Sequence, residues 1–244
     1  RAQALLLRPL DQFITPFDTV FVPVLSRLQN QPDRYRQVFL QAYGAIALLS
    51  FTFAGLLAGL SAPLVLMLLG PKWAEVIPIF SWLTIAALYI PLSYAAMWLL
   101  TTQGRSRDLL TIGVIVPVIT VISVVIGVPF GASGMALSLS LMGLLIRLPV
   151  QYHITGKSGP VSRGDLWGVF FRHLPLWAAV AAATWFVQHA VSSLPLLAQL
   201  SMGGVTGGLV GVISVVCWPA LRHEAQFIIE QTQRYMRNRK AADA

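Results

Sequence analysis

The sequence predicts an all-α, polytopic membrane helical bundle, and three observations carry that prediction. Asp, Glu, Lys and Arg are absent from 37–71, 76–104, 109–146 and 175–221. A helix needs roughly 20 apolar residues to cross a hydrocarbon core of about 30 Å, so these runs are long enough to span, and the two longest must fold back. Hydrophobic residues make up 56% and charged residues only 11% of the 244 residues, a balance that a water-exposed surface of this size does not carry. The basic residues that remain gather in alternate loops, as the positive-inside rule expects of a chain that crosses a bilayer repeatedly.

The reading along the chain gives seven helices, at about 3–26, 38–60, 76–100, 109–127, 133–154, 174–191 and 197–219. The first carries charge inside its span. At 100° per residue, Arg1, Arg8, Asp11, Gln12, Thr15, Asp18 and Thr19 fall within an arc of about 120°, opposite Leu6, Leu10, Phe13, Phe17 and Val24. Charges in hydrocarbon are costly unless they face protein or water, so this stripe predicts a helix lining a polar cavity, with Arg8 and Asp11 able to pair. Pro9, Pro16 and Pro23 flank the stripe and invite bends.

After the second helix, 61–73 is too short to span and too apolar for an open loop, which places it in the outer interface with Trp73 at headgroup level. Trp82, Tyr89, Tyr94 and Trp98 in the third helix suit either stacking against sugar rings or packing and anchoring, the commoner use. Gly127-Val-Pro-Phe-Gly-Ala-Ser-Gly134 separates the fourth and fifth helices, and Ser192-Ser-Leu-Pro195 the last two. Arg147, near one end of the fifth helix, can meet a lipid phosphate or simply snorkel to the interface. Residues 156–172 read as a linker and short interfacial turn. In the final helix, Gly203, Gly207 and Gly211 share one face, the small-xxx-small pattern that lets membrane helices approach closely. Beyond it, Leu221, Ala225, Ile228, Thr232 and Tyr235 recur at helical spacing before a basic cluster, 234–240, suited to anionic headgroups.

Arg27, Arg34, Arg36, Arg105, Arg107, Arg147, Lys157, Arg163 and Arg172, with the C-terminal basic residues, occupy loops on one side, whereas the loops at 61–75, 128–132 and 192–196 hold Lys72 alone. The first set is expected to be cytoplasmic, and the C-terminus with it. Several functional classes fit poorly. The net charge of +8 is dispersed rather than gathered with stacking aromatics, so no nucleic acid partner is expected. Gly203-Gly-Val-Thr-Gly-Gly lacks the Lys-Ser/Thr and the preceding strand of a phosphate loop. His153, His173, His189 and His223 are not spaced with carboxylates or Cys217 as metal ligands, so neither a metal nor another cofactor is expected. A membrane-embedded polymerase needs a sizeable catalytic loop, and the outer loops here are short; an enzyme is not expected. The opening Arg1, without a basic-then-apolar leader, is expected to lie inside a longer protein.

A family resemblance sharpens this. Arg1-Ala2, Phe21-Val-Pro-Val-Leu-Ser-Arg-Leu-Gln29, Pro32-Asp-Arg34, Ala62-Pro-Leu-Val, Leu69-Gly-Pro-Lys-Trp73 and Gly104-Arg105 occur in the order and spacing of Wzx-type polysaccharide flippases. More narrowly, the chain resembles the colanic-acid-exporter branch of the multidrug/oligosaccharidyl-lipid/polysaccharide exporter superfamily. The resemblance implies a second lobe of a flippase core at 1–155, a linker and terminal helix pair at 156–219, and a cytoplasmic basic tail at 220–244. It implies a multi-pass protein of the bacterial inner membrane, assembled with other polysaccharide-assembly proteins. Its partners would be membrane lipids and an undecaprenyl-pyrophosphate-linked oligosaccharide, flipped from the cytoplasmic to the periplasmic leaflet by alternating access. Arg8, Asp11, Gln12, Thr15, Asp18 and Arg147 are the residues expected to line the path. Small-molecule efflux and a permease subunit driven by a separate ATPase are the alternatives. Asp11, Asp18 and His189 are the candidates for ion coupling.

Overall fold

A computed structural model of the protein describes residues 21–219, 221, 222 and 224–227. Residues 21–27 are helical, the described end of the first expected helix. Arg8, Asp11, Gln12, Thr15 and Asp18 lie outside the described residues, as does most of the basic tail. Eight α-helices follow: α1 (Pro32–Gly59), α2 (Ser61–Leu69), α3 (Val76–Thr102), α4 (Ser106–Gly127), α5 (Gly131–Met142), α6 (Leu148–Thr155), α7 (Arg163–Ala190) and α8 (Leu196–Cys217). No strand occurs among the described residues. A π-turn, Gly143–Arg147, joins α5 to α6 as one continuous rod.

Five helical stretches are long and apolar enough to cross a membrane. The one from Ser106 to Thr155, at 50 residues, would measure about 75 Å if straight, more than twice a bilayer core. It folds back at 128–131, where Pro129 sits in a single 3₁₀ turn and Gly131 takes φ 71°, a left-handed conformation glycine adopts without strain. The hairpin closes tightly: a Cβ on Gly127 would fall 2.5 Å from the Met135 backbone, and Ser138 Oγ donates to the Ser123 carbonyl at 2.7 Å.

Helix α1 occupies the centre, with α7 and α8 packed on one flank and α3 on the other; α5 packs on α3, and α4 on α5. Its Tyr35, Phe39, Tyr43 and Phe51 are fully buried. Buried polar groups fasten the helices in pairs, where hydrocarbon leaves them no water to turn to. Tyr35 shares a 2.6 Å hydrogen bond with Thr102, and Tyr43 one of 2.5 Å with Tyr152. Ser93 and Gln151 bond reciprocally, each at 2.7 Å. The outer helices turn large apolar side chains outward, with Phe130 75%, Leu110 71% and Leu197 68% exposed. Such a surface is stable against lipid, not water.

The glycine face of α8 packs as expected. A Cβ on Gly203 would lie 2.5 Å from Leu60 and one on Gly207 2.6 Å from Thr184, while Gly204 and Gly208 face open space. Two expectations are refined. The segment 61–73 forms α2 and a 3₁₀ turn. The linker and interfacial turn read at 156–172 is a linker only as far as Ser162, since α7 begins at Arg163. There the Ser162 hydroxyl caps the Asp165 amide at 3.2 Å while the Asp165 carboxylate accepts from the Ser162 amide at 2.9 Å, a reciprocal box that starts a helix well before the charge-free run. Arg36 of α1 bonds the same carboxylate at 2.5 Å, tying the two helix starts together.

Candidate functional site

A cavity of about 710 Å³ lies between α3 and the α4–α5 hairpin, extending from Trp73 at one end to Arg147 at the other. Most of its wall is apolar, supplied by residues such as Leu83, Ile90 and Ile119, with Tyr89, Thr120, Ser123 and Ser140 as polar points. The π-turn builds the cationic end. One extra residue in the turn rotates the helix beyond it, and such turns recur where a side chain must be re-aimed. Here the re-aimed residue is Arg147, the last of the five.

Gly143 opens the π-turn and has a second role. Any Cβ there would collide with the Tyr89 hydroxyl, so the absence of a side chain admits the phenol against the helix. Tyr89 is buried and its hydroxyl makes a long 3.5 Å contact with the Leu139 carbonyl. Arg147 is half-buried, its Nε is fully buried without a hydrogen-bond partner, and no carboxylate pairs with it among the described residues. The hydroxyl of Ser140, one turn before Gly143, is likewise buried and unpartnered. Unmet donors on a cavity wall in a low-dielectric surround are strong points of attachment for an anion, and a guanidinium presents the forked geometry that phosphate oxygens accept.

Of the residues expected to line a path, Arg147 is in this cavity, and the other five lie outside the described residues. Among the third helix's aromatics, Tyr89 faces the cavity. Trp98 is buried with its ring stacked on Phe21 at 5.9 Å, and Trp82 and Tyr94 are exposed on the bundle's outer surface. His189 is exposed, tilted against Trp185 at 4.0 Å. Gly104-Arg105 serves the structure. Gly104 takes φ 66°, and Arg105 donates to the carbonyls of Ile154, Thr155 and Ser158 at 2.7–2.8 Å while pairing with Asp108. It thereby binds carbonyls at the end of α6 and in the turn that follows it. Sequence reading missed Tyr89, Ser140 and Gly143 as one site; the glycine four residues before an arginine in an apolar run was the available signal.

No group of His, Cys, Asp and Glu that could hold a metal ion occurs among the described residues. Fold and cavity together define an integral membrane protein, a helical bundle with a cation on the wall of a partly open cavity between helices. Residues 1–78, about a third of the chain, match a family model described as polysaccharide biosynthesis protein. No curated protein and no solved structure matches the chain.

Proposed function

We propose that this chain is a lobe and terminal helix pair of a transporter that moves an undecaprenyl-pyrophosphate-linked oligosaccharide, a lipopolysaccharide or exopolysaccharide repeat unit, from the cytoplasmic to the periplasmic leaflet of the bacterial inner membrane. The observation that carries the reading is the match of residues 1–78 to a polysaccharide biosynthesis family on a chain whose remainder is a bundle of membrane-length helices. The cavity supplies fitting chemistry. A lipid-linked sugar pyrophosphate needs cations at membrane depth for its phosphates, hydroxyl groups and aromatic faces for its sugar, and apolar walls for the start of its lipid. Arg147, Ser140 and Tyr89 with Trp73 offer these in one space. In this reading the charged stripe at Arg8, Asp11, Gln12, Thr15 and Asp18 lines the same path, and translocation proceeds by alternating access without a chemical step.

Transfer of labelled lipid-linked oligosaccharide into vesicles holding the full-length protein tests it. Arg8→Ala and Arg147→Ala should each lower transfer about tenfold or more at unchanged abundance, as loss of a charged hydrogen bond to substrate would, with Arg8 the larger effect. Normal transfer by both variants overturns the proposal, and transfer of unrelated small cations instead would favour efflux. Orientation is tested with single cysteines at Asn30 and Lys157, both exposed, in a Cys217→Ser background. These should resist an impermeant thiol reagent added to the periplasmic side.

A further inference from the structure

His173 is fully buried on α7, and both of its ring nitrogens face oxygen. Nδ1 lies 2.8 Å from the Val169 carbonyl, an oxygen that can only accept, so Nδ1 carries a hydrogen. Nε2 lies 2.6 Å from Glu224 Oε2. A neutral imidazole protonated at Nδ1 would point a lone pair at an ionised carboxylate there, so a bond of this length requires one more proton, on Nε2 or on the carboxyl. Arg172 reaches the other oxygen, Oε1, at 3.3 Å. On the α1 side the carboxylate is seated against Gly44, where a Cβ would displace it, and the imidazole against the Phe51 ring at 5.9 Å. Helix α1 brings no Asp, Glu, Lys, Arg or His to the pair after Arg36. On the Glu224 segment itself, Arg222 is exposed and donates to the Val216 carbonyl. Among the described residues, Arg172 is the ionisable group in contact with the pair.

Glu224 belongs to the short segment after α8, which is held at three places. Leu221 is fully buried with Leu48, Leu176 and Val180, Glu224 bonds His173, and Phe227 meets Phe21 at 5.8 Å. Phe21 stands at the described end of the first helix and stacks on Trp98 of α3.

We propose that His173 and Glu224 form a proton-binding site whose single shared proton fastens the segment after α8 to α7, and through Phe227 holds the end of the first helix. Loss of that proton to water leaves a lone pair facing a carboxylate. Gain of a second turns the carboxylate into a neutral acid facing an imidazolium and takes away the partner of Arg172. Loss of the proton breaks the contact and gain of a second weakens it, and no covalent bond other than that to the exchanged proton forms or breaks. The clasp stands apart from the transport reading; if that reading holds, this is where proton exchange reaches the charged first helix.

Pulsed electron paramagnetic resonance on the full chain in lipid nanodiscs tests it, with spin labels at Gln37 and Gln226, both exposed, and Cys217 replaced by serine. The label-to-label distance distribution should be narrow near neutral pH and broaden on both acidification and alkalinisation. Glu224→Gln places a neutral amide donor opposite neutral Nε2, and should stay narrow across the range; Glu224→Ala should be broad throughout. A wild-type distribution that does not change with pH overturns the proposal, as does a Glu224→Gln distribution that follows the wild type. If Glu224→Gln does not insert, His173→Gln replaces it, with the same loss of pH response expected. No transport readout enters, so failure here is distinct from failure of the transport reading.

Discussion

Two interfaces of the bundle are built from similarly apolar helices, yet the seam of α1 with α7 closes while the space between α3 and the α4–α5 hairpin stays open. Against α7 and α8 the backbones come together because the residues between them are small: Gly55 and Gly59 on α1 meet Val180 and Thr184, while Gly203, Gly207 and Gly211 meet Leu60, Leu56 and Thr52. Lipid tails are as apolar as leucine, so close contact between backbones and side chains replaces the hydrophobic drive that water would provide. Across α3, on the side away from α1, Leu83, Tyr89 and Ile90 face Leu139, Ser140 and Arg147 across about 710 Å³. Mixed sizes, a hairpin tip and a π-turn keep these helices from interlocking. Side-chain size at a handful of positions, not hydrophobicity, separates a packed seam from a cavity in this bundle.

The sharpest way to break that comparison is to fill the closed side. Gly59→Leu drives a Cβ into Thr184, including its backbone, and should cost about 3 kcal/mol or more, seen as loss of monodisperse protein in detergent and low membrane abundance. Gly204→Leu, on the open face of the same glycine run in α8, should behave as wild type. Equal stability of the two variants would refute the small-residue account.

The open side should respond more mildly to the same chemistry. Gly143→Ala displaces the Tyr89 hydroxyl rather than a backbone, so about 1–2 kcal/mol is expected in thermal unfolding, together with a fall in transfer activity as the phenol moves into the cavity. Adding Tyr89→Leu should restore stability, and a double variant no more stable than the single would show that Gly143 matters for the π-turn alone.

Polar groups complete the contrast with the smallest effects. Thr184→Val removes a buried hydroxyl that donates to the Val180 carbonyl at 2.8 Å, and should cost about 1 kcal/mol. Ser140→Ala removes a buried hydroxyl with no partner and should be neutral or slightly stabilising, while lowering transfer under the proposed transport function. Thermal melts that reverse this order would mean the Ser140 hydroxyl is satisfied in the membrane.

How much of this could be read in advance varied with the kind of residue. The Gly203, Gly207 and Gly211 face declares itself because its period falls within one helix. Gly55 and Gly59 carry the same spacing in α1 but sit amid a run that looks merely hydrophobic. Ser162 and Asp165 spell a capping box that places the start of α7 at Arg163, but the eye is drawn to the charge-free run beginning later. His173 and Glu224 gave no signal, since 51 residues separate them and neither has a periodic or motif context.

By itself the sequence determined that the protein is a helical membrane bundle, where its chain folds back at 128–131, and which α8 face packs closely, because each follows from local composition and periods within one segment. Only the tertiary structure decided which helix interfaces close and which stay open, that Arg147 faces a cavity beside Tyr89 and Ser140, that Arg105 completes the end of α6, and that His173 meets Glu224. Those outcomes depend on distances between helices, set jointly by side chains from different segments, and no single stretch of sequence contains them.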